Sequence, residues 1–503
     1  MRRRARATLL DGVKGWLGDT VRMGWALGYW NARKAVFVAR GRRGRCPCHH
    51  PSDSGRPLET GCEAIVHWHN PARFQTVCPL LVRAPKGGWV CSVGPDRVRP
   101  FWGRAFGIFS GALLVGVLAG AGLVYSSLRL IGYHVSARQV LWPPAWHELR
   151  SVRAELFVRK ARAYAESGHL REALSALRTA HDIAPGELTV SLPLAEMAEA
   201  TNPDVADQLY FDMIRRHPEQ RREIAQIWLK GLVTHGRLRE AAELAHRQLP
   251  VDPAAAGAWT HVLVTVSRLL HDPQILDPAA DQSGVPAGAA QVLHFEAMVR
   301  RTPSSEVPAL LLRTPLGTDF PYAIEQRVSL LVEFGRAREA LGALAQARNV
   351  LSGRDVARLA LSAYVTLGDH DRLAQEVDGL LQSTAGDRAA KITLVGEHLI
   401  VHPDAPLLAH LVSAMGDGQE VAADDRRECW LALMCAAGAA GDRKTFLVLK
   451  SAAAPAISSN GIDALEGFFF PPEGAKSMRG ALPSLEIGSM TLAYALLERA
   501  AQR

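Results

Sequence analysis

Five of the seven cysteines fall in one short segment near the start of the chain, with histidines among them. The cysteines are Cys46, Cys48, Cys62, Cys78 and Cys91, and the histidines are His49, His50, His67 and His69. Thiolate and imidazole are the ligands that Zn²⁺ prefers in tetrahedral protein sites. Turn-forming Pro, Gly, Ser and Asp separate these side chains, which leaves little room for an independent hydrophobic core. A structural zinc ion is therefore expected to supply folding energy here.

The cysteine spacing does not define a single ligand set. A repeated C-x-x-C pair is absent, since the first pair is C-x-C and single cysteines follow at intervals of 14, 16 and 13. The predicted zinc ligands are Cys46, Cys48, Cys62 and Cys78, with Cys91 and His67 as alternates. The remaining two cysteines, Cys429 and Cys435, lie in an apolar helical segment and are predicted to be small core residues.

Three other states of these thiols stay open on the sequence. Disulfides suit an extracytoplasmic segment, but five cysteines leave one unpaired, and the charge pattern favours the cytoplasm. Covalent haem attachment needs C-x-x-C-H, and the Cys46–His49 segment is one residue short of it. A redox centre also needs C-x-x-C, whereas reduced structural thiols need no particular spacing.

The motifs of common catalytic sites are missing from the sequence. It has no phosphate-binding glycine loop, no G-x-S-x-G elbow, no H-E-x-x-H helix and no kinase signature. The chain is therefore predicted not to be an enzyme, and no catalytic residue is assigned.

A membrane span is predicted between Arg104 and Arg129, where no charged residue occurs. Residues 105–128 read AFGIFSGALLVGVLAGAGLVYSSL. As a helix these 24 residues extend about 36 Å, enough to cross a hydrocarbon core of roughly 30 Å. Aromatic residues flank the stretch on both sides, as is usual at membrane interfaces. A cleaved signal peptide is not expected so far into the chain.

Charge is distributed unevenly about this span. Residues 1–104 hold 19 Lys and Arg against 6 Asp and Glu, a balance of +13. Because the whole chain carries +8, the remaining residues carry −5. The positive-inside rule then predicts a cytoplasmic N-terminus. Residues 130–503 would lie across the cell inner membrane, in the periplasm if the source is bacterial.

The span contains two small-residue pairs of the G-x-x-x-G type. They are Gly107 with Gly111, and Gly116 with Gly120. Such pairs allow two helices to approach closely, so they predict a homodimer in the membrane. The alternative is that these glycines have no packing role, since Gly is common in membrane helices.

Residues 1–45 are predicted to form a basic amphipathic segment. The segment opens with RRRAR and closes with ARGRRGR, and Leu10, Val13 and Leu17 share one helical face. Such a helix suits the surface of an anionic lipid leaflet. A helix packed on its own domain is an equal alternative. Nucleic acid is the less expected partner of this basic end.

A helix–turn–helix pattern recurs over residues 154–450, most clearly in LFVRKARAYAESGHLREALSALRTAHDIAP. Gly168 is predicted to end the first helix of this unit and Pro185 to stop the second. Ala161 and Ala173 are expected to let the two helices approach closely. The turn glycines of the successive copies are Gly168, Gly236, Gly335, Gly368 and Gly441. The first three intervals between them, 68, 99 and 33, are multiples of 33 or 34.

This pattern resembles the tetratricopeptide repeat (TPR), a helix–turn–helix unit of about 34 residues. The matching positions in the first unit are Phe157, Ala161, Tyr164, Gly168, Ala173, Leu177, Ala180 and Pro185. The resemblance implies an α-solenoid whose inner helices form a concave surface for peptides or helices of partner proteins. The stretch from His271 to Pro321 departs from the pattern, which leaves the number of repeats open. A purely structural superhelix is the alternative.

The predicted fold is mainly α, with a single transmembrane helix followed by an α-solenoid of TPR-like helix pairs and preceded by a small irregular Cys/His-rich module. The predicted domains are the basic segment 1–45, the Cys/His-rich module 46–100, the span 105–128, the solenoid 154–450 and C-terminal capping helices 451–503.

The favoured function is that of a membrane-anchored scaffold or adaptor for protein–protein interactions. The first alternative is an envelope assembly or maturation factor that uses its thiols chemically. The second is a membrane-tethered protein that contacts nucleic acid.

Overall fold

A computed structural model describes most of the chain, in two compact units, Met1–Leu156 and Phe157–Arg503. The described residues are 2–43, 47–48, 62–85, 87–313, 320–383, 387–416, 423–471, 482–485 and 487–501, with backbone alone at 2–13, 423–425 and 484. The structure is mainly helical, as the sequence predicts, and one helix is long and apolar enough to cross a membrane.

The first unit combines one long helix, a small strand pair and the apolar helix. Its elements are α1 (Arg2–Ala39), β1 (Leu81–Arg83), β2 (Trp89–Cys91), α2 (Trp102–Ile131) and α3 (Ala137–Leu141). The strands are antiparallel, with Leu81 opposite Cys91. The described residues between α1 and β1 include two short 3-10 helices, Glu63–Ile65 and Pro71–Thr76.

The cysteine-containing segment shares a core with α1. Leu27 of α1 is fully buried in one cluster with Phe74 and Val77. Polar contacts fix the same helix face, because the Asp19 carboxylate accepts hydrogen bonds from the backbone N–H groups of His69 (3.0 Å) and Asn70 (2.8 Å). For residues 1–45 the sequence left two alternatives, a helix on a lipid surface and a helix packed on its own domain. The structure shows that α1 packs on its own unit. The core that the short segment lacks is supplied by α1.

The apolar helix α2 extends three residues beyond the predicted span at each end. Its most apolar window has a mean hydropathy of 2.1, and none of that window is buried within the chain. Gly132, at φ +99°, ends the helix. A Cβ added at Gly107, Gly111, Gly116 or Gly120 would meet no atom within 4 Å, so these glycines lie open on the helix surface. The homodimer they suggest stays a prediction.

The second unit is a succession of paired helices. The first helices of the pairs are α4 (Leu149–Glu166), α6 (Leu188–Glu199), α8 (Arg221–Thr234), α10 (Ala256–Leu270), α14 (Pro321–Glu333), α16 (Gly353–Leu367), α18 (Arg388–Val401) and α20 (Ala423–Ala439). The second helices are α5 (Leu170–Ile183), α7 (Pro203–Arg216), α9 (Leu238–Gln248), α15 (Ala337–Gln346), α17 (His370–Gln382), α19 (Ala405–Met415) and α21 (Arg443–Ala453). The other helices are α11 (Asp277–Ala280), α12 (Ala287–Arg301), α13 (Val307–Arg313), α22 (Ser459–Phe469) and α23 (Met490–Ala501).

One type of turn joins the helices of five pairs. Each turn has a left-handed glycine, at φ between +68° and +79°, as predicted for Gly168 and its four counterparts. In every case the residue after the glycine donates its N–H to the carbonyl five residues earlier, as from His169 to Tyr164 (2.8 Å). This bond belongs to the Schellman motif, which satisfies the last carbonyls of a helix.

The same turn also closes α10, where the sequence pattern is interrupted. His271 takes the left-handed conformation at φ +52°, and Asp272 donates to the carbonyl of Ser267 at 3.0 Å. The same turn geometry thus occurs at a residue that is not glycine.

The last helix, α23, lies against helices from the middle of the chain. It contacts α8, α10, α18 and α20, all of them first helices of their pairs. Its six consecutive residues 492–497 are all buried. The capping role of residues 451–503 stays a prediction.

We predict that Gly396→Ala destabilises the second unit by about 1–3 kcal/mol, the usual cost of overpacking. A Cβ at Gly396 would lie 2.9 Å from Ala432 Cβ and 3.3 Å from the Ala432 backbone carbon, where α18 packs against α20. The free energy of unfolding of the detergent-solubilised protein, from denaturant titrations followed by circular dichroism, tests this.

Gly379→Ala is the matched control. Gly379 lies within α17 and has no atom within 4 Å of its Cβ position. Because Ala favours a helix interior by up to about 1 kcal/mol over Gly, this variant is expected to gain stability. Equal behaviour of the two variants would contradict close packing of α18 on α20.

Candidate functional site

Three of the predicted zinc ligands are buried together in the first unit. Cys48, Cys62 and Cys78 lie in the core cluster that α1 completes. A hydrogen bond from the Cys48 thiol lowers the pKa of Cys62, against the opposing effects of burial and of the charges of Cys78 and Cys91. A thiol whose anion is stabilised is better suited to bind a metal ion, because the thiolate is the ligand form.

A buried lysine contacts this cluster from α1. The Lys34 side chain is 1% exposed, and its ammonium group lies 2.7 Å from the Cys78 sulfur. The ring of Phe101 lies 5.5 Å from the same nitrogen. The Lys34 side chain thus donates a hydrogen bond from α1 to the Cys78 sulfur.

The other predicted ligands are placed differently. Cys46 lies outside the described residues, and Cys91 is exposed on β2, although its charge still acts on Cys62. The His67 side chain is exposed, and the backbone carbonyl of His67 accepts a hydrogen bond from Arg22. Within the described part of the chain, no three Cys, His, Asp or Glu side chains form a group that could hold a metal ion. Zinc stays a prediction that rests on the thiol cluster.

A second candidate site is a cavity of about 940 Å³ in the second unit, hereafter the inner cavity. Its walls come mainly from first helices of pairs, together with α12 and α23. One face of α23 contributes residues at helical spacing: Thr491, Tyr494, Ala495 and Glu498. The rings of His261 and Tyr494 meet edge to face at 5.6 Å, which fixes α23 against α10.

A network of charges lies beside this cavity. Glu296 is fully buried and accepts hydrogen bonds from Arg268 (2.7 Å), Arg300 (2.8 Å) and Gln326 (2.6 Å). Burial alone would raise the pKa of this carboxyl, but the charges of Arg268 and Arg300 hold the pKa below its ordinary value. Arg300 also pairs with Glu333, at 2.5 and 2.8 Å. The network joins α10, α12 and α14 across the cavity wall.

Two buried polar atoms of the cavity lining have no hydrogen-bond partner among the described residues. They are the hydroxyl of Tyr494 and Nε2 of His398, on side chains of residues that are 8% and 7% exposed. Burial lowers the pKa of His398 to about 3 and that of His261 to about 4, so both rings are neutral at pH 7. Unsatisfied buried polar groups are uncommon in folded proteins and call for an explanation.

Sequence reasoning assigned no role to the residues of the inner cavity. Arg268, Glu296 and Arg300 have the spacing of ordinary helix surface charges, and Tyr494 lies in the predicted capping region. The signal that the sequence offers for α23 is its high content of apolar residues, which is typical of a buried helix. It does not indicate which of its side chains line a cavity.

Comparison with models of known families gives no match to this chain, and comparison with curated proteins gives none either.

We predict that Glu296→Gln destabilises the second unit by about 3–5 kcal/mol, because it leaves two arginines without their buried counter-ion. Denaturant titration of the detergent-solubilised protein measures the loss. The matched control is Glu243→Gln, which breaks an ion pair with Arg247 whose side chains are 66% and 58% exposed. Exposed pairs of this kind contribute about 0.5 kcal/mol or less. Similar losses in both variants would contradict the buried network.

Proposed function

We propose that the chain is a membrane-anchored scaffold of the tetratricopeptide type, which binds other proteins through the inner surface of its helix pairs and has no catalytic activity. The observation that carries this proposal is the recurrence of one turn. The left-handed residue of that turn stands at 168, 236, 271, 335, 368 and 441, with the same backbone hydrogen bond each time.

The recurrence supports a solenoid of residues 154–450. The shortest intervals between these turns are 33 and 35 residues, close to the 34 residues of a tetratricopeptide repeat. Repeating units of this size cannot bury their apolar faces alone and stack on their neighbours. The stacked first helices would then form a continuous inner surface. The inner cavity lies among first helices of the pairs, which is where a concave binding surface is expected.

Lipid is the second proposed partner, and α2 and α1 both support it. Because α2 exposes its apolar residues on all sides, we assign it to the inner membrane as a single span, with the N-terminus cytoplasmic and the repeats periplasmic. Beside it in the same unit, α1 exposes Leu17, Val21, Trp25 and Tyr29 at intervals of four residues. This stripe suits the interface of an anionic leaflet. The open glycines of α2 support a homodimer within the membrane.

Structural zinc is proposed for the Cys/His-rich module of residues 46–100. Burial of Cys48, Cys62 and Cys78 in one core cluster, with the Lys34 nitrogen 2.7 Å from the Cys78 sulfur, supports the proposal. Cys91 is the fourth ligand best supported by the described residues, since its charge acts on Cys62. His67 is the least supported, because its side chain is exposed.

For the zinc proposal, we predict about one zinc ion per chain in the full-length protein, and substantially less in Cys62→Ser. Elemental analysis of protein purified without added metal or chelator measures the content. Cys435→Ala is the control, because it removes a buried thiol of the second unit and leaves the cluster intact. A wild-type protein that is free of zinc would contradict this part of the proposal.

For the scaffold proposal, we predict that the intact protein stays in the membrane after carbonate extraction and co-purifies with other proteins. Ser329→Trp, which fills the inner cavity from α14, is expected to reduce the recovered partners several-fold. The control is Ser175→Trp on the exposed face of α5. Extraction by carbonate, or equal recovery with both tryptophan variants, would be incompatible with the proposal.

A further inference from the structure

Among the described residues, the charged side chains that line the inner cavity are paired, with one exception. Arg268 and Arg300 pair with Glu333 and with Glu296 behind the lining, Arg358 pairs with Glu325, and Glu397 pairs with Arg354 outside the lining. Glu498 of α23 also faces the cavity and makes no ion pair among the described residues. Burial raises the pKa of its carboxyl, and Arg268, already bound to Glu296, only partly offsets this. The cavity therefore has one carboxyl group in excess.

Two hydrogen-bonding groups of the same lining residues also have no partner within the described part of the chain. They are the hydroxyl of Tyr494, one turn of α23 before Glu498, and Nε2 of His398 in α18. A neutral imidazole nitrogen and a phenol oxygen can both accept hydrogen bonds. Together with the carboxylate they form a set of acceptors that lacks a donor.

We propose that the inner cavity binds a basic side chain of a partner protein, with Glu498 as the counter-ion and Tyr494 and His398 as hydrogen-bond acceptors. Guanidinium and ammonium groups carry three to five N–H donors and no acceptor, so they match this set. An anionic ligand would be repelled by Glu498. A neutral ligand would leave the carboxylate without a counter-ion.

The size of the cavity favours a peptide over a free amine. A volume of about 940 Å³ lies at the upper end of the range for small-molecule sites, far more than one guanidinium group fills. A segment of the partner's backbone can therefore enter with the basic side chain. The choice of a protein as the source of the cation rests on the scaffold function proposed above.

Binding of a fluorescein-labelled decapeptide of alternating Arg and Gly to the full-length protein in detergent tests this inference. We expect saturable binding, at least about tenfold weaker binding by Glu498→Gln, and no change with Glu172→Gln, whose carboxylate is exposed on α5. Tyr494→Phe removes only the unpartnered hydroxyl. It should weaken binding several-fold while the melting temperature stays the same or rises.

Three results would overturn the inference. They are wild-type affinity in both Glu498→Gln and Tyr494→Phe, equal binding of the matching Glu–Gly decapeptide, and competition by agmatine at the same concentration as the peptide. The last result would assign the cavity to free amines.

Failure of this inference is distinguishable from failure of the scaffold proposal. If proteins co-purify with wild type and Glu498→Gln alike, and the Arg–Gly peptide does not bind, the scaffold proposal is supported and the cation site is rejected. If no protein co-purifies but the peptide binds and Glu498→Gln abolishes that binding, the cation site is supported and the scaffold proposal is rejected.

Discussion

Two consecutive helices can pack side by side only if the chain reverses direction without leaving the last carbonyl groups of the first helix unpaired. In five of its helix pairs, and at the end of α10, the second unit meets this constraint with one turn, in which a left-handed residue lets the next N–H group bond back to the helix end. Because the turn is short and its geometry fixed, the second helix of each of these five pairs starts two residues after the glycine.

Local features of this arrangement can be predicted from the sequence, because they depend on neighbouring residues. Gly168 lacks a Cβ and tolerates φ +79°, and Pro185 follows the end of α5 at Ile183. The apolar stretch of α2 is equally local. At His271 the same reasoning fails, because a non-glycine residue takes the left-handed conformation at φ +52°. The glycine pattern of the sequence is therefore interrupted at a position where the backbone turn recurs.

Contacts between residues that are far apart in the sequence cannot be predicted from local sequence patterns. The contact of Lys34 with Cys78 spans 44 residues, and no spacing rule for metal ligands includes a lysine. In the inner cavity, His261 and Tyr494 are more than two hundred residues apart. Their meeting depends on the path of α23 back to α10, which propensity and periodicity do not determine. The sequence therefore indicates which thiols are candidates for one site, but not which side chains line the cavity.

The buried ion pairs beside the inner cavity are better explained by shape than by stability. Replacing a buried pair with well-packed apolar residues is often neutral or stabilising, because desolvation offsets much of the attraction. Apolar residues at Arg268, Glu296 and Arg300 would, however, pack together and close the space that these side chains border. Charged groups held at fixed hydrogen-bond distances keep the wall rigid and the cavity polar. α23 adds the remaining wall by burying its apolar residues against α8, α10, α18 and α20. The same helix brings Glu498 to the cavity lining, where its carboxylate has no ion pair with the residues that the structure describes.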